Sequence, residues 1–335
     1  MSIYTDSGSE ARSDLSRFFK HEWRLCLTIA LFVMSFASFV TIHPRGLSVI
    51  SITPWANQVV PLALAAVAQF FAVVTGGLDL SVGAIITLSN AAGSYLLDGT
   101  PLQIAGGAAL ILGIGTLCGF VNGVVITAGR VEPIVATLAT GAIYGGIALY
   151  LRPSPGGTVN ETLGDLFTYQ TFGVIPTSLV LLAIVVGVIW IPLSRSLLGR
   201  SFYAIGSNLN GAYMSGLKPA RSKIFAYSFA GFFASCAGLF LSFQTLSGDA
   251  SIGVPYTLNS IAAVVLGGAS LAGGIGTIWG VILGSAILRT VGAIVIFTSL
   301  PTLAQPLFEG VVLLLAVAVG AIEFLKSPSK MEGMR

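Results

Sequence analysis

The segment NQVVPLALAAVAQFFAVVT, residues 57–75, carries no charged side chain. An α-helix needs about 20 predominantly apolar residues to cross the ~30 Å hydrocarbon layer of a bilayer, so this segment predicts a membrane-spanning helix. Comparable runs recur along nearly the whole chain. We predict about ten transmembrane helices, at approximately residues 25–42, 57–75, 82–97, 103–128, 133–151, 176–194, 224–245, 256–272, 277–297 and 303–325.

The composition favours the same class of protein. Of the 335 residues, 55% are hydrophobic and only 9% are charged, against about 25% charged in an ordinary soluble domain. A soluble domain must cover its surface with polar groups, whereas a lipid-embedded bundle presents apolar side chains to the bilayer. We therefore predict an all-α integral membrane protein.

The distribution of Lys and Arg predicts the orientation. Three segments, residues 1–24, 195–223 and 326–335, hold twelve of the sixteen basic residues. Because such residues accumulate in short cytoplasmic segments, we expect a loosely ordered cytoplasmic N-terminal arm (1–24), a transmembrane domain (25–325) with a cytoplasmic loop at 195–223, and a cytoplasmic tail (326–335). Both termini are then cytoplasmic, and the loop at 152–175 falls on the opposite side.

A short sequence recurs in the two halves of the chain. Residues 73–83, VVTGGLDLSVG, reappear as residues 264–274, VVLGGASLAGG, displaced by 191 positions. Two halves of shared ancestry would explain this, and in transporters interrupted helices at matching places often mark the pathway. The alternative is that the Gly-Gly pairs only make tight turns between spans.

Polar side chains inside apolar spans are candidates for lining a transport pathway. Buried amides also bridge neighbouring helices, so a structural role stays open for each. A carboxylate at Asp79 could instead cap the following helix, and Arg289 and Glu309 could pair or face an aqueous cavity. The pathway-lining candidates are Asn57, Gln69, Asp79, Asn90, Asn122 and Asn259.

The sequence lacks the motifs of catalytic chemistry. No segment matches Gly-x-x-x-x-Gly-Lys-Ser/Thr, the loop that cradles ATP phosphates, so any ATP and Mg must be bound by another polypeptide. The two histidines, His21 and His43, do not suggest a metal pair. We find no basic tract for nucleic acid and no nucleophile–base set, and we expect a transport protein without a cofactor of its own.

The basic loop at 195–223 contains a predicted short helix, from about Asn208 to Ser215, with Asn208 as its cap and Gly216 ending it. Such a helix would protrude between two spans and could dock into a cleft of a partner subunit. A merely solvated connector is the alternative, but it would leave apolar side chains exposed without a reason. The candidate contact residues are Asn208, Gly211, Ala212, Tyr213, Met214, Ser215, Gly216 and Leu217.

Four motifs, in this order, resemble those of the permease subunits of bacterial ABC importers for ribose and related monosaccharides. They are GGLDLSVG (76–83), VATL (135–138), YAIG with Asn208 and Ser215-Gly216 (203–216), and IAAVVLGGASLAGG (261–274). The resemblance covers about residues 55–325. It implies a ten-helix permease of the bacterial cytoplasmic (inner) membrane that works with a second permease, two cytoplasmic ATPase subunits and a periplasmic sugar-binding protein.

In that family the 208–216 segment would be the coupling helix that contacts the ATPase. Here Leu209-Asn210-Gly211 stands where the family often carries a Glu-Ala-Ala-like triplet. This departure suits a heterodimer whose other permease carries the fuller motif, although a homodimer stays open. The alternative function is an ion-coupled secondary transporter of a small polar solute, in which Asp79 or Glu309 would titrate.

Overall fold

A computed structural model describes residues 7–298, 301, 304–305, 307–312 and 314, with side chains from residue 23 onward. The regular secondary structure of this part consists of helices and one short β-hairpin. The elements are α1 (Ser7–Ile42), α2 (Val49–Val74), α3 (Val82–Leu96), α4 (Pro101–Ala128), α5 (Pro133–Leu151), α6 (Glu161–Thr168), β1 (Gln170–Thr171), β2 (Ile175–Pro176), α7 (Thr177–Arg195), α8 (Leu197–Ser207), α9 (Leu209–Met214), α10 (Pro219–Thr245), α11 (Val254–Leu266) and α12 (Ile278–Phe297).

Seven helices in this part of the chain are long and apolar enough to cross a membrane: α1 over Trp23–Ile42, α2, α4, α5, α7, α10 and α12. The apolar helices α3 and α11 are shorter. Most of the predicted span at 303–325 lies outside the described residues. Within that span, residues 305 and 307–312 are described and are helical. The helical membrane class is confirmed, while the count of ten stays a prediction.

Several predicted boundaries differ from the structure. The N-terminal arm, expected to be loosely ordered, is helical from Ser7 onward. Helix α2 begins at Val49, eight residues before the predicted start, and contains Pro54 and Pro61, since neighbouring helices let a membrane helix accommodate proline. The eighth predicted span ends early, because α11 stops at Leu266.

Three elements were missed by the sequence prediction. Helix α6 and the β1–β2 hairpin lie in the loop at 152–175, and α8 fills the first part of the loop at 195–223. Helix α8 starts where the Ser196 hydroxyl accepts from the Gly199 amide at 3.1 Å. Helix α8 was not predicted because it contains two internal glycines. Glycine disfavours helices in isolation, and only packing against neighbouring elements offsets that cost.

Helix α2 forms the centre of the bundle. All of its residues from Val59 to Val74 are buried, and it packs against α10, α12, α11 and α7. An aromatic cluster attaches α8 to this core: the ring of Phe71 on α2 lies 6.1 Å from Phe202 on α8 and 6.0 Å from Trp190 on α7. Helix α8 therefore packs directly on the central helix.

The connecting segments fall into two groups at opposite ends of α2. At its start, Asn57 donates to the carbonyl of Thr168 at the end of α6. At its end, the Val74 carbonyl accepts from the Gly274 amide, in the loop before α12. We call the end that holds α6 and the hairpin the α6 face, and the end that holds α9 the α9 face.

Candidate functional site

The short helix α9 is fixed at both ends by hydrogen bonds. At its start, the Asn208 side chain accepts from the Gly211 amide at 2.8 Å. At its end, Gly216 adopts a positive φ of 81°, and the Leu217 amide donates to the Ala212 carbonyl at 3.1 Å, which makes a Schellman motif. The predicted helix, its cap and its terminating glycine are confirmed.

The side chains of α9 divide into an attached side and an exposed side. Ala212 is buried, whereas Tyr213 is 70% and Met214 86% exposed. Ser215 is also exposed, and its hydroxyl donates to the Gly211 carbonyl. Two large apolar side chains on a capped, protruding helix suit docking into a partner. Contact of these residues with an ATPase stays a prediction.

The recurring Gly-Gly sequences end two helices in the same way. Gly76 after α2 and Gly268 after α11 have φ values of 79° and 80°. In each, the following amide donates to a carbonyl five residues earlier at 3.1 Å, Gly77 to Ala72 and Ala269 to Val264. The two Schellman motifs lie 192 residues apart, one more than the displacement in sequence, so the pairs serve as turns whose structural register is shifted by one.

The turn after α2 and the loop that follows the second turn meet the end of α8 in a cluster that we call the glycine junction. Its members are Val74, Gly76, Gly206, Gly273 and Gly274. The Gly274 amide donates to the Val74 carbonyl at 3.0 Å. A Cβ at Gly206 would overlap that same carbonyl oxygen, and a Cβ at Gly273 would lie 2.8 Å from the Cα of Gly76. Only glycine allows three backbones to approach this closely.

The glycine junction lies at the base of α9. Gly206 and Ser207 end α8, and Asn208 begins α9. Gly206 belongs to the 203–216 motif, but the motif alone does not show which backbone this glycine faces, so the contact was not predicted. A displacement of α9 would thus reach the end of α2 and the start of the loop before α12.

The predicted lining residue Asp79 lies in a fully buried polar network. Its Oδ1 accepts from the amide and the hydroxyl of Ser81, at 2.8 and 2.6 Å. Gln69, with its amide oriented to match donors to acceptors, pairs with the Asp79 backbone at 2.8 and 3.2 Å. Asn122 donates to the Ser81 hydroxyl at 2.7 Å and accepts from Tyr144 at 3.2 Å. The carboxylate orders the turn before α3, for which Ser81 is the N-cap.

Asn90 is also enclosed by the chain. Its Nδ2 donates to the Ser242 hydroxyl at 3.1 Å, and its Oδ1 accepts from the Asp249 amide at 2.8 Å. Gln69, Asp79, Asn90 and Asn122 are all 0% exposed, so in this conformation they bridge elements. A role for them in the pathway stays a prediction.

The other two lining candidates are less completely buried. Asn57, on the α6 face, borders a cleft between α2, α6 and α10. Asn259 donates to Glu309 at 3.1 Å, and Glu309 faces Arg289 at 3.9 Å with both side chains largely buried. Arg289 and Glu309 therefore form a pair, the first of the two possibilities left open by the sequence.

Comparison with known proteins agrees with this architecture. Residues 51–317 match the family described as the branched-chain amino acid transport system permease component. The ribose import permease protein RbsC of Bacillus subtilis is 35% identical over 285 residues, which cover 82% of this chain and 86% of that protein. RbsC of Escherichia coli K12 is 33% identical over 311 residues, covering 90% and 96%.

A further relative carries a different name. The autoinducer 2 import system permease protein LsrC of Yersinia pestis (strain Pestoides F) is 34% identical over 257 residues, which cover 76% of this chain and 72% of that protein. No solved structure matches the chain. The family match and the seven candidate spans make the chain a multi-pass protein of the bacterial cytoplasmic (inner) membrane. The chain belongs to the permease family described as the branched-chain amino acid transport system permease component.

Proposed function

We propose that this chain is the membrane-spanning permease subunit of an ATP-driven importer that translocates a monosaccharide delivered by a periplasmic binding protein. The names of the relatives, ribose import permeases and an autoinducer 2 import permease, support an imported sugar-like substrate. The observation that carries the proposal is α9, a capped helix with exposed Tyr213 and Met214 that follows directly after the end of α8 in the glycine junction.

In this proposal the α9 face is cytoplasmic and α9 docks into an ATPase subunit. Exposed basic residues surround α9, namely Arg195, Arg200, Lys218 and Arg221, which supports the cytoplasmic side. The chain crosses the membrane ten times, with both termini in the cytoplasm. ATP and Mg are held by the ATPase subunits, and this chain supplies no nucleotide site and no cofactor.

The proposed mechanism is alternating access. Closure of the ATPase dimer on ATP pushes α9, which moves as a rigid unit because both of its ends are capped. The push passes through α8 and the glycine junction to the end of α2 and to the loop before α12. Differential contacts of the ATPase with two states of the permease then shift the equilibrium between inward-open and outward-open forms.

A second permease subunit completes the pathway in this proposal. The sequence Leu209-Asn210-Gly211 at the start of α9, which departs from the family's Glu-Ala-Ala-like triplet, favours a heterodimer whose other member makes the stronger ATPase contact. Either a homodimer or a heterodimer provides two coupling helices, one for each ATPase subunit.

Reconstitution into liposomes tests the proposal. Purified permease, the ATPase and the binding protein are combined. Uptake of D-ribose is then measured without ATP, with ATP inside the liposomes, and with ATP outside them. We expect uptake that requires both the ATPase and the binding protein, with ATP supplied on the side that α9 faces. Uptake by the permease alone under a proton or sodium gradient would instead identify an ion-coupled transporter.

A further inference from the structure

A cleft of about 450 Å³ opens on the α6 face, between the first turns of α2, the segment 168–170 and the last turn of α10. Most of its lining residues carry a neutral hydroxyl or amide group within a largely apolar wall, and none of them is charged. The ring of Tyr169 at its edge is 61% exposed. The polar side chains that line it and matter here are Thr53, Asn57, Gln58, Gln170 and Gln244.

Two of these amides are anchored to the wall. The Asn57 Nδ2 donates to the Thr168 carbonyl at 2.8 Å, and the Gln170 Nε2 donates to the Thr53 hydroxyl at 3.1 Å. The Asn57 Oδ1 has no hydrogen-bond partner, although its side chain is only 9% exposed. A buried acceptor without a donor is costly, so it favours a ligand or a solvent molecule that supplies one.

The other two amides are free to meet a ligand. Gln58 and Gln244 are exposed, and within the described residues neither side chain makes a hydrogen bond. Each amide offers donors and an acceptor, which matches hydroxyl groups that both donate and accept. An anionic or cationic ligand would leave its charge without a counter-charge in this wall.

We propose that this cleft binds an uncharged, polyhydroxylated ligand the size of a monosaccharide. Its volume falls within the range of roughly 300–1,000 Å³ that is usual for small-molecule sites, and an exposed tyrosine ring adds an amphipathic surface for the apolar face of a sugar. The inference rests on the proposed function and deepens it by naming the residues of this chain that meet the sugar first.

In this conformation the cleft is closed at its inner end and does not continue into a channel. Below Asn57, α2 is sealed by its neighbours: Val60, Ala63 and Ala66 are 0% exposed. A ligand in the cleft therefore binds at the α6 face of the permease. It must leave toward another surface of the chain, or toward a second subunit, when the permease changes state.

The test measures ligand contact directly, by saturation-transfer NMR on the full transporter complex in nanodiscs without the binding protein. The probes are D-ribose, D-xylose, D-glucose and D-galactose, with ribose 5-phosphate as the charged control. The test variant is Gln58→Leu/Gln244→Leu, which replaces both free amides with apolar side chains of similar size. Thr162→Val, an exposed hydroxyl on α6 outside the cleft, is the matched control.

We expect at least one neutral aldose to give a signal, ribose 5-phosphate to give none, and the amide variant to lose most of the signal while Thr162→Val keeps it. No aldose signal in the native complex, or an unchanged signal in the amide variant, would overturn the inference. The inference would also be overturned by a variant that weakens binding of the periplasmic protein while the aldose signals persist. In that case the cleft would be a docking surface for that protein.

ATP-driven uptake by the same complex separates the two proposals. If uptake is intact but the aldose signals are absent, the inference about the cleft is contradicted and the proposed function is retained. Absence of ATP-driven uptake from the native complex removes the proposed function, whereas the NMR result alone still decides whether the cleft binds a neutral sugar.

Discussion

The amide of Gly274 donates a 3.0 Å hydrogen bond to the carbonyl of Val74, which joins the end of the central helix α2 to the loop that precedes α12. Gly206, one residue from the end of α8, packs against the same carbonyl oxygen. Because α8 leads directly into the exposed helix α9, this bond lies where the segment that carries α9 meets the core of the bundle.

The first prediction concerns Gly206. Replacing it with alanine would drive a methyl group into the Val74 carbonyl, so the glycine junction must open. In Gly206→Ala we expect ATP hydrolysis to continue while sugar uptake falls, measured as sugar transported per ATP hydrolysed in proteoliposomes. Gly113→Ala on α4 is the control, since no atom lies within 4 Å of its added Cβ. An unchanged ratio for Gly206→Ala would show that the junction does not couple.

The second prediction concerns the end of α9. Gly216 has a φ of 81° and donates its amide to the Tyr213 carbonyl, whereas proline fixes φ near −65° and lacks that donor. Gly216→Pro should therefore uncouple ATP hydrolysis from uptake. Gly216→Asn should retain most of the uptake, because asparagine tolerates the left-handed region that costs other residues about 1–2 kcal/mol. Equal activity of the two variants would contradict this role of the turn.

The third prediction concerns docking. Tyr213 is 70% exposed on α9, and loss of an aromatic anchor at an interface typically costs about 2 kcal/mol or more, or about 30-fold in affinity. We expect Tyr213→Ala to weaken binding of the ATPase subunit to the detergent-solubilised permease by that order. Tyr150→Ala, at an 86% exposed tyrosine near the far end of α5, should bind as the native chain does. Similar affinities for both variants would place the ATPase contact elsewhere.

The fourth prediction separates a structural role of Asp79 from an ion-coupling role. The Asp79 Oδ1 accepts two hydrogen bonds from Ser81, and an asparagine oxygen can accept both. Asp79→Asn should therefore keep most of the ATP-driven uptake. Asp79→Ala loses both bonds, each contributing about 1 kcal/mol, and should lower the thermal unfolding temperature. Loss of uptake in a well-folded Asp79→Asn permease would favour a titrating carboxylate.

Local sequence signals predicted α9 well. Asn208 as a cap and Gly216 as the terminating residue act within one helical turn, so the sequence alone specifies them. The apolar runs likewise predicted α3, α4, α5, α7 and α12 closely, and for the four longer helices the length follows from the thickness of the bilayer.

The features that were missed depend on contacts between distant segments. Helix α8 is stabilised where Phe202 packs on Phe71 of α2, and no local pattern announces that contact. The repeat was found in sequence, but its structural register differs by one residue, because the positive φ falls on the first glycine of the pair at Gly76 and on the second at Gly268. The polar cleft joins α2, the 168–170 segment and α10, and its amides gain meaning only when the fold brings them together.

The side of the membrane that α9 faces tests the central claim most directly. Met214→Cys on α9 and Phe172→Cys in the hairpin turn, at side chains 86% and 93% exposed, are each introduced after replacement of Cys26, Cys118 and Cys236. A membrane-impermeant thiol reagent is then applied to intact cells and to inverted membrane vesicles. The account predicts labelling of position 214 only in inverted vesicles and of position 172 only in intact cells; labelling of position 214 from outside intact cells would contradict it.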